Sequence, residues 1–270
     1  MNDLFDIRNR VVVVTGGTGV LGRPICAYLA GQGARVVVLG RNEQAGRELV
    51  GTIREQGGEA LFLTTDVRSR QLLEANCTAV LNAYGSVDVL LNAAGGNLPG
   101  ATIAPDQTLF DVDMEAFRRV VDLNLFGTVL PTTVFARAMV ERGRGVVLNF
   151  CSESALRPLT RVAGYGAAKA AVANFTKYLA GELARKYGEG FRVNAVAPGF
   201  FLTEQNRTLL TAPDGSYTER ARTILAHTPF GRFGRPEELL GTVHYLISDA
   251  SSFVTGTLAV VDGGFDAFSI

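Results

Sequence analysis

Short β-branched runs alternating with longer stretches of helical period predict an α/β protein. Its core would be one doubly wound, seven-stranded parallel sheet with helices on both faces. Two further observations support that class. The chain has 270 residues, 47 % of them hydrophobic, which suits one domain with a sheet covered on both sides. Its 31 glycines follow no period and gather at the ends of apolar runs, where they mark turns.

The expected strands are Arg10–Thr15 (RVVVVT), Arg35–Leu39 (RVVVL), Ala60–Thr64 (ALFLT), Val87–Leu91 (VDVLL), Val146–Cys151 (VVLNFC), Arg192–Ala197 (RVNAVA) and Leu258–Val261 (LAVV). Between them, Gly22–Gln32, Asn42–Gln56, Ser69–Tyr84, Met114–Glu141, Tyr165–Tyr187 and Pro236–Ser248 carry helical periodicity. Right-handed crossovers then lead to a doubly wound sheet. Residues 200–234 resist this pattern, because Pro213-Asp214-Gly215 and Pro229 interrupt a weak helical period. That stretch reads as a lid or substrate loop, or else as a surface insertion without a role. With no repeat or linker in sight, residues 1–270 are expected to form a single domain.

Composition excludes several functions. Lysine plus arginine equals aspartate plus glutamate at 26 each, so no net field draws the chain to nucleic acid or to an anionic membrane. The opening MNDLFDIRNR has no signal-peptide core, and no run approaches 18 uninterrupted apolar residues. Cys26, Cys77 and Cys151 are widely spaced and read as free thiols of a reducing, cytoplasmic setting. His227 and His244 are isolated, and no ligand spacing supports a metal site. A small-molecule ligand remains.

The turn after the first strand reads Gly16-Gly17-Thr18-Gly19-Val20-Leu21-Gly22, and a helix begins within it. Gly17-x-Gly19-x-x-Gly22 meets the dinucleotide fingerprint: small residues admit the tight turn and let backbone N–H groups approach a pyrophosphate at the helix N-terminus. An acid at the end of the second strand would bind a free ribose 2′-hydroxyl, but the chain has Gly40-Arg41-Asn42. A guanidinium there suits a 2′-phosphate, so NADP(H) is expected over NAD(H). Asp66 would reach the adenine edge, while Asn92-Ala93-Ala94-Gly95 would line the adenosine side.

Tyr165 and Lys169 stand four residues apart, on one face of a helix. A tyrosine is a poor acid or base at neutral pH, but a nearby cation favours the phenolate and makes the pair a tunable proton donor and acceptor. Ser152, ending the fifth strand, could hydrogen-bond a carbonyl or developing alkoxide. Asn124 lies in an otherwise apolar helix, where it could kink the backbone and hold a water leading to Lys169. Alternatively it is a core asparagine satisfied by backbone.

Together TGGTGVLG, NAAG, Asn124, Ser152 with YGAAK, and RVNAVAPGF resemble the short-chain dehydrogenase/reductase family, in its order and over essentially the whole chain. The resemblance implies a Rossmann fold, an oxidoreductase using NAD(P), and a homotetramer or homodimer. It also implies that Tyr165 is the general acid/base, that Lys169 lowers its pKa and binds the nicotinamide ribose, that Ser152 orients the carbonyl and that Asn124 supports a proton relay. Val67, Pro198, Gly199 and Thr203 join the implied nucleotide site. One departure is Val20, where the family's TGxxxGxG has glycine.

A second tier of likeness, to the D-mannonate oxidoreductase (fructuronate reductase) type, rests on that variant turn, NAAGGN at 92–97 followed by 99–102, APGFFLTEQNR at 197–207, HTPFGRFGRPEELLG at 227–241, SSFVTG and VDGGF. It implies a keto-sugar acid as substrate. The subgroup tends to have aspartate where Gly40 stands, and residues 153–161 differ from its usual ones. Polar candidates for such a substrate are Asn97, Ser152, Glu153, Arg157, Arg161, Gln205 and Asn206, with Arg157 and Arg161 as carboxylate anchors. Alternatives are a broader sugar, polyol or 3-oxoacyl reductase, or a cofactor-binding scaffold or regulatory protein. Phe253, Val254, Leu258 and Phe265 could form an interface between subunits or pack in the core.

Overall fold

The inner predicted strands are runs rich in valine and leucine that fit a pleated surface covered on both sides, the edge strands are only partly buried, and all seven pair in parallel. The computed structural model describes residues 3–203 and 207–267. The strands are β1 (Val11–Thr15), β2 (Arg35–Gly40), β3 (Glu59–Thr64), β4 (Val89–Asn92), β5 (Gly145–Phe150), β6 (Phe191–Pro198) and β7 (Leu258–Val261), in the order β3-β2-β1-β4-β5-β6-β7. The direction of winding reverses between β1 and β4, so a crevice opens beyond their carboxyl ends.

Strand alternation divides the core. Val12, Val14, Val36, Val38, Val89 and Leu91 face one layer, built from α1 (Gly22–Gly31), α2 (Glu43–Glu55) and α9 (Leu240–Ile247). Val11, Val13, Val37, Leu39 and Leu90 face the other, built from α3 (Arg70–Tyr84), α5 (Gly127–Glu141) and α6 (Ala163–Tyr187). Local signals set the helix starts: Asn42 accepts from the Ala45 N–H at 3.0 Å and Ser69 from the Leu72 N–H at 3.3 Å. Most element bounds move by a residue or two from expectation, and two differences are larger in kind. β4 begins at Val89 because the Asp88 carboxylate takes the Val11 N–H at 2.9 Å. Residues Pro236–Leu239 form a separate 3₁₀ turn before α9.

The helix expected over 114–141 is interrupted. α4 (Met114–Val121) passes into a π turn at Asp122–Phe126 before α5 begins. The run is long and apolar enough to cross a membrane by length and composition, but Ala116, Val120, Phe135 and Met139 are buried in the protein core. All three cysteines are buried free thiols.

Residues 200–234 carry α7 (Arg207–Leu210) and α8 (Glu219–Ala226), held by their own cluster of Leu210, Ala221, Ile224 and Phe233. The C-terminal segment buckles this unit to the sheet: Phe265 meets Phe200 edge to face at 5.1 Å, and Gly263 and Gly264 lie against Thr228, Pro229 and Phe230.

Candidate active site

The crevice beyond β1 and β4 has a volume of about 470 Å³. The turn after β1 and the turn after β4 meet on its floor. Gly16 has φ 66°, and a Cβ there would lie 2.8 Å from the Ala94 backbone, so no other residue allows this approach. Gly22 lies against Gly16 in the same way, which brings the start of α1 onto the turn. The predicted Gly16, Thr18, Gly19, Val20, Leu21, Gly22, Arg41, Asn42, Asp66, Val67, Ala93, Ala94, Gly95, Pro198, Gly199 and Thr203 all line the crevice. Bare glycine backbone at a helix start is a cradle that fits a dinucleotide pyrophosphate.

Two predicted residues serve the cradle from behind. Gly17 gives its N–H to Leu39 O at 3.1 Å and packs on Val38 and Cys26. Asn92 turns into the core and donates to Thr132 Oγ1 and Asn149 Oδ1, both at 2.9 Å. Asp66 is clasped by Arg68, at 2.8 Å between Nη2 and Oδ2, and that hydrogen bond holds its carboxyl below the usual range. Arg41 is exposed on the rim, and among the described residues no carboxylate lies within ion-pair distance of it. Gly40 abuts Thr18, whose Oγ1 would be 2.6 Å from an added Cβ.

Ser152, Tyr165 and Lys169 converge at the other end of the crevice. Ser152 follows β5 and accepts the Ser154 N–H at 3.2 Å. Tyr165 lies in the first turn of α6, and its side chain and that of Ser152 line the same end of the crevice. Lys169, one turn later, has Nζ 5.6 Å from the Tyr165 ring centre and donates to Phe150 O at 2.8 Å. Burial pushes the Tyr165 phenol up, and the Ser152 hydroxyl opposes that rise. Burial lowers Lys169 to about 8. Burial is thus the largest influence on both groups, and it opposes the charged form of each.

Asn124 causes the π turn. Its amide donates to Val120 O and Gly96 O, each at 2.8 Å, and its Oδ1 accepts the Gly96 N–H at 3.0 Å. The side chain thus clamps the turn after β4 through backbone, and the expected kink is present as the π turn. It still reaches the site, because a Cβ on Gly95 would lie 2.7 Å from Asn124 Oδ1 and 3.1 Å from Lys169 Nζ.

The expected substrate residues separate. Arg157 is engaged by Asp266, Nε to Oδ1 at 2.8 Å, and so does not stand ready as a carboxylate anchor. Glu153 is 1 % exposed, with both carboxyl oxygens unpartnered. Burial, then the charges of Asp262 and Asp266, push it up to about 8 against the pull of Arg157. Asn97 donates to Thr102 Oγ1 at 2.6 Å and leaves a buried Oδ1 without a partner. Arg161 has φ 75°, a backbone conformation rare outside glycine, and donates Nε to Ile103 O at 2.6 Å. Gln205 and Asn206 lie outside the described residues. Sequence reasoning missed Thr65, Leu123 and Phe150, which complete the walls and carry no motif of their own.

The sequence profile of the short chain dehydrogenases matches residues 10–214. An uncharacterized oxidoreductase of Bacillus subtilis, UxuB, is 40 % identical, with 98 % of this chain and 97 % of that protein aligned. A solved Haemophilus protein with bound NAD, provisionally named a D-mannonate oxidoreductase, is 37 % identical with a TM-score of 0.91, over 98 % of this chain and 97 % of that one. A gluconate 5-dehydrogenase of Burkholderia cenocepacia, solved with NADP and tartrate, is 31 % identical with a TM-score of 0.88 over 99 % of each chain. Sheet order, the glycine cradle and the convergence of Ser152, Tyr165 and Lys169 on one crevice agree with these likenesses, and the chain belongs to the short-chain dehydrogenase/reductase family, as an oxidoreductase that acts on CH–OH groups with NAD(P).

Proposed function

We propose that the protein interconverts the carbonyl and secondary alcohol of a sugar acid of the fructuronate/mannonate kind, with NADP(H) preferred over NAD(H). The observation that carries the reading is a cation on the segment that packs against Tyr165: Arg161 is tied to Ile103 O through Nε, and its Nη groups are free of any carboxylate among the described residues. The names of similar proteins, a D-mannonate oxidoreductase and a gluconate 5-dehydrogenase, support the same class. Gly40 in place of an acid, with Arg41 exposed on the rim, supports the coenzyme preference.

A nicotinamide dinucleotide in the glycine cradle supplies the hydride in reduction and accepts it in oxidation. The chain's residues do the rest. Ser152 Oγ hydrogen-bonds the substrate oxygen and fixes it beside the phenol. Tyr165 Oη gives its proton to that oxygen as the carbon is reduced, and takes it back in the reverse direction. Lys169 Nζ, anchored on Phe150 O, is placed to bind a ribose hydroxyl and to favour the phenolate when protonated. Asn124 holds the Gly95-Gly96 turn against Lys169. Residues 200–234 act as the lid over the substrate. We place the enzyme in the cytoplasm as a homotetramer or homodimer, a reading supported by three free thiols and by the fully exposed Phe253.

The test is a screen of keto-uronates, 3-oxoacyl thioesters and simple ketones with both coenzymes, followed at the NAD(P)H absorbance. Turnover of keto-uronates with kcat/KM at least tenfold above the others is expected, with NADPH ahead of NADH. Preference for 3-oxoacyl thioesters would replace the substrate reading, and absence of any turnover despite coenzyme binding would favour a scaffold.

A further inference from the structure

Most arginines in the described structure are paired with acids, Arg157 among them. Arg161 and Arg220 are among those that are not, as is Arg41 on the crevice rim. Arg161 and Arg220 come from segments about sixty residues apart, yet Arg220 Nη1 lies 3.4 Å from Thr160 Oγ1, the neighbour of Arg161. Each is half-buried, and among the described residues neither guanidinium has a carboxylate within ion-pair distance. Bringing two cations together without an acid costs free energy that a bound anion would return. Burial and the charge of Arg161 both lower the Arg220 pKa, which agrees with a pair that lacks its counter-ion.

The backbone holds Arg161 in place for this task. Its φ of 75° is a strained choice for a residue with a side chain, and two bonds to Ile103 enforce it: Arg161 Nε to Ile103 O at 2.6 Å and Ile103 N to Arg161 O at 3.0 Å. Those bonds consume Nε and leave both Nη groups available. The strand of chain that Arg161 grips also carries Asn97, with its orphaned Oδ1, and Leu98 and Ala101, which share an apolar cluster with Tyr165. Arg161, four residues before Tyr165 in sequence, is thus tied to the segment that packs against the phenol ring. Arg220 approaches from α8 of the 200–234 unit.

We propose that Arg161 and Arg220 form the seat for the substrate's carboxylate, one from the turn leading into α6 and the other from α8. The inference rests on the sugar-acid reading and adds to it the residues that recognise the acid. Two planar guanidinium groups match the oxygens of one carboxylate, so the seat selects keto-acids over neutral ketones. It also assigns Arg157 a different part, as the tie to Asp266.

The experiment compares kcat and KM of the full-length wild type with Arg161→Gln, Arg220→Gln, Arg220→Lys and the Arg161→Gln/Arg220→Gln double variant. The probes are fructuronate and the neutral ketose fructose, with coenzyme binding followed by NADPH fluorescence. Each glutamine substitution is expected to raise KM for fructuronate about tenfold to a hundredfold while kcat changes little, since a charge-assisted contact is lost on binding. Fructose should lose no more than a few-fold. Arg220→Lys should recover part of the loss, and the double variant should fall short of the product of the singles. Equal losses for acid and neutral probes, or a fructuronate KM within twofold of wild type, would overturn the inference alone. A wild type that reduces neutral ketones and no keto-acid removes the sugar-acid reading and this seat together. Should Arg161→Gln fail to fold through loss of its anchor on Ile103, the two Arg220 variants decide.

Discussion

Glu153→Gln is expected to stabilise the protein at neutral pH, increasingly so as the pH rises. The carboxyl of Glu153 is 1 % exposed, has no hydrogen-bond partner at either oxygen, and faces the charges of Asp262 and Asp266, with only Arg157 in its favour. Its pKa rises from the usual 4.5 to about 8. Between those values the folded chain keeps a proton that the unfolded chain has released, so stability falls as pH climbs through the window. At about 1.4 kcal/mol per unit the full shift corresponds to about 5 kcal/mol. Local relaxation and water penetration around a buried charge offset part of this, and we take about half, ~2 kcal/mol by pH 8. Glutamine keeps the shape and cannot ionise, so the two proteins should be nearly equal at pH 5 and diverge above it. Urea unfolding at pH 5, 6, 7 and 8 reads the difference directly. A gap that does not change with pH, or a glutamine variant less stable than wild type at pH 8, would refute the argument that a buried, unpaired carboxyl is the source.

Three further outcomes are expected. Tyr165→Phe should abolish turnover while leaving coenzyme affinity nearly intact, whereas Lys169→Ala should damage both; wild-type-like kcat in the phenylalanine variant contradicts the role of the phenol. Gly40→Asp alone should weaken both coenzymes, because a Cβ there meets Thr18, while Thr18→Gly/Gly40→Asp should turn the kcat/KM ratio toward NADH by about tenfold or more. An unchanged ratio in the double variant would place the discrimination elsewhere. Asn124→Ala should cost about 2 to 4 kcal/mol in urea unfolding, since it strands the Gly96 N–H and two carbonyls, and should lower kcat through the loosened Gly95-Gly96 turn. A loss below about 0.5 kcal/mol would mean that the clamp is dispensable.

The sheet and most helices could be read from sequence because their causes are local: β-branched runs, helical period, and the Asn42 and Ser69 caps. The glycine turn and the Tyr165–Lys169 pair were legible for the same reason, since both are spacings within one turn of chain. The break at Asn124 was expected as a kink, but its partner was not legible, because Asn124 grips Gly96, 28 residues away in sequence. Arg157 illustrates the limit from the other side: its charge was visible, but Asp266, 109 residues on, decides what it holds. Tyr165 shows that spacing fixes which groups meet, whereas burial, which acts on both Tyr165 and Lys169, follows from the assembled site and is not written in the spacing. Arg220 carries no motif, and only the docking of α8 near Thr160 brings it into view.

The cradle straddles the point where winding reverses, so its walls belong to both halves of the chain: the turns after β1, β2 and β3 on one side, those after β4, β5 and β6 on the other. A molecule lodged there would rivet the two halves, and mass action sets how firmly. At a hundredfold excess over its dissociation constant, coenzyme would add about 2.7 kcal/mol to the folded state. Survival of the protein against heat and proteases would then rise and fall with the cell's nicotinamide pool, making its abundance a slow gauge of redox supply.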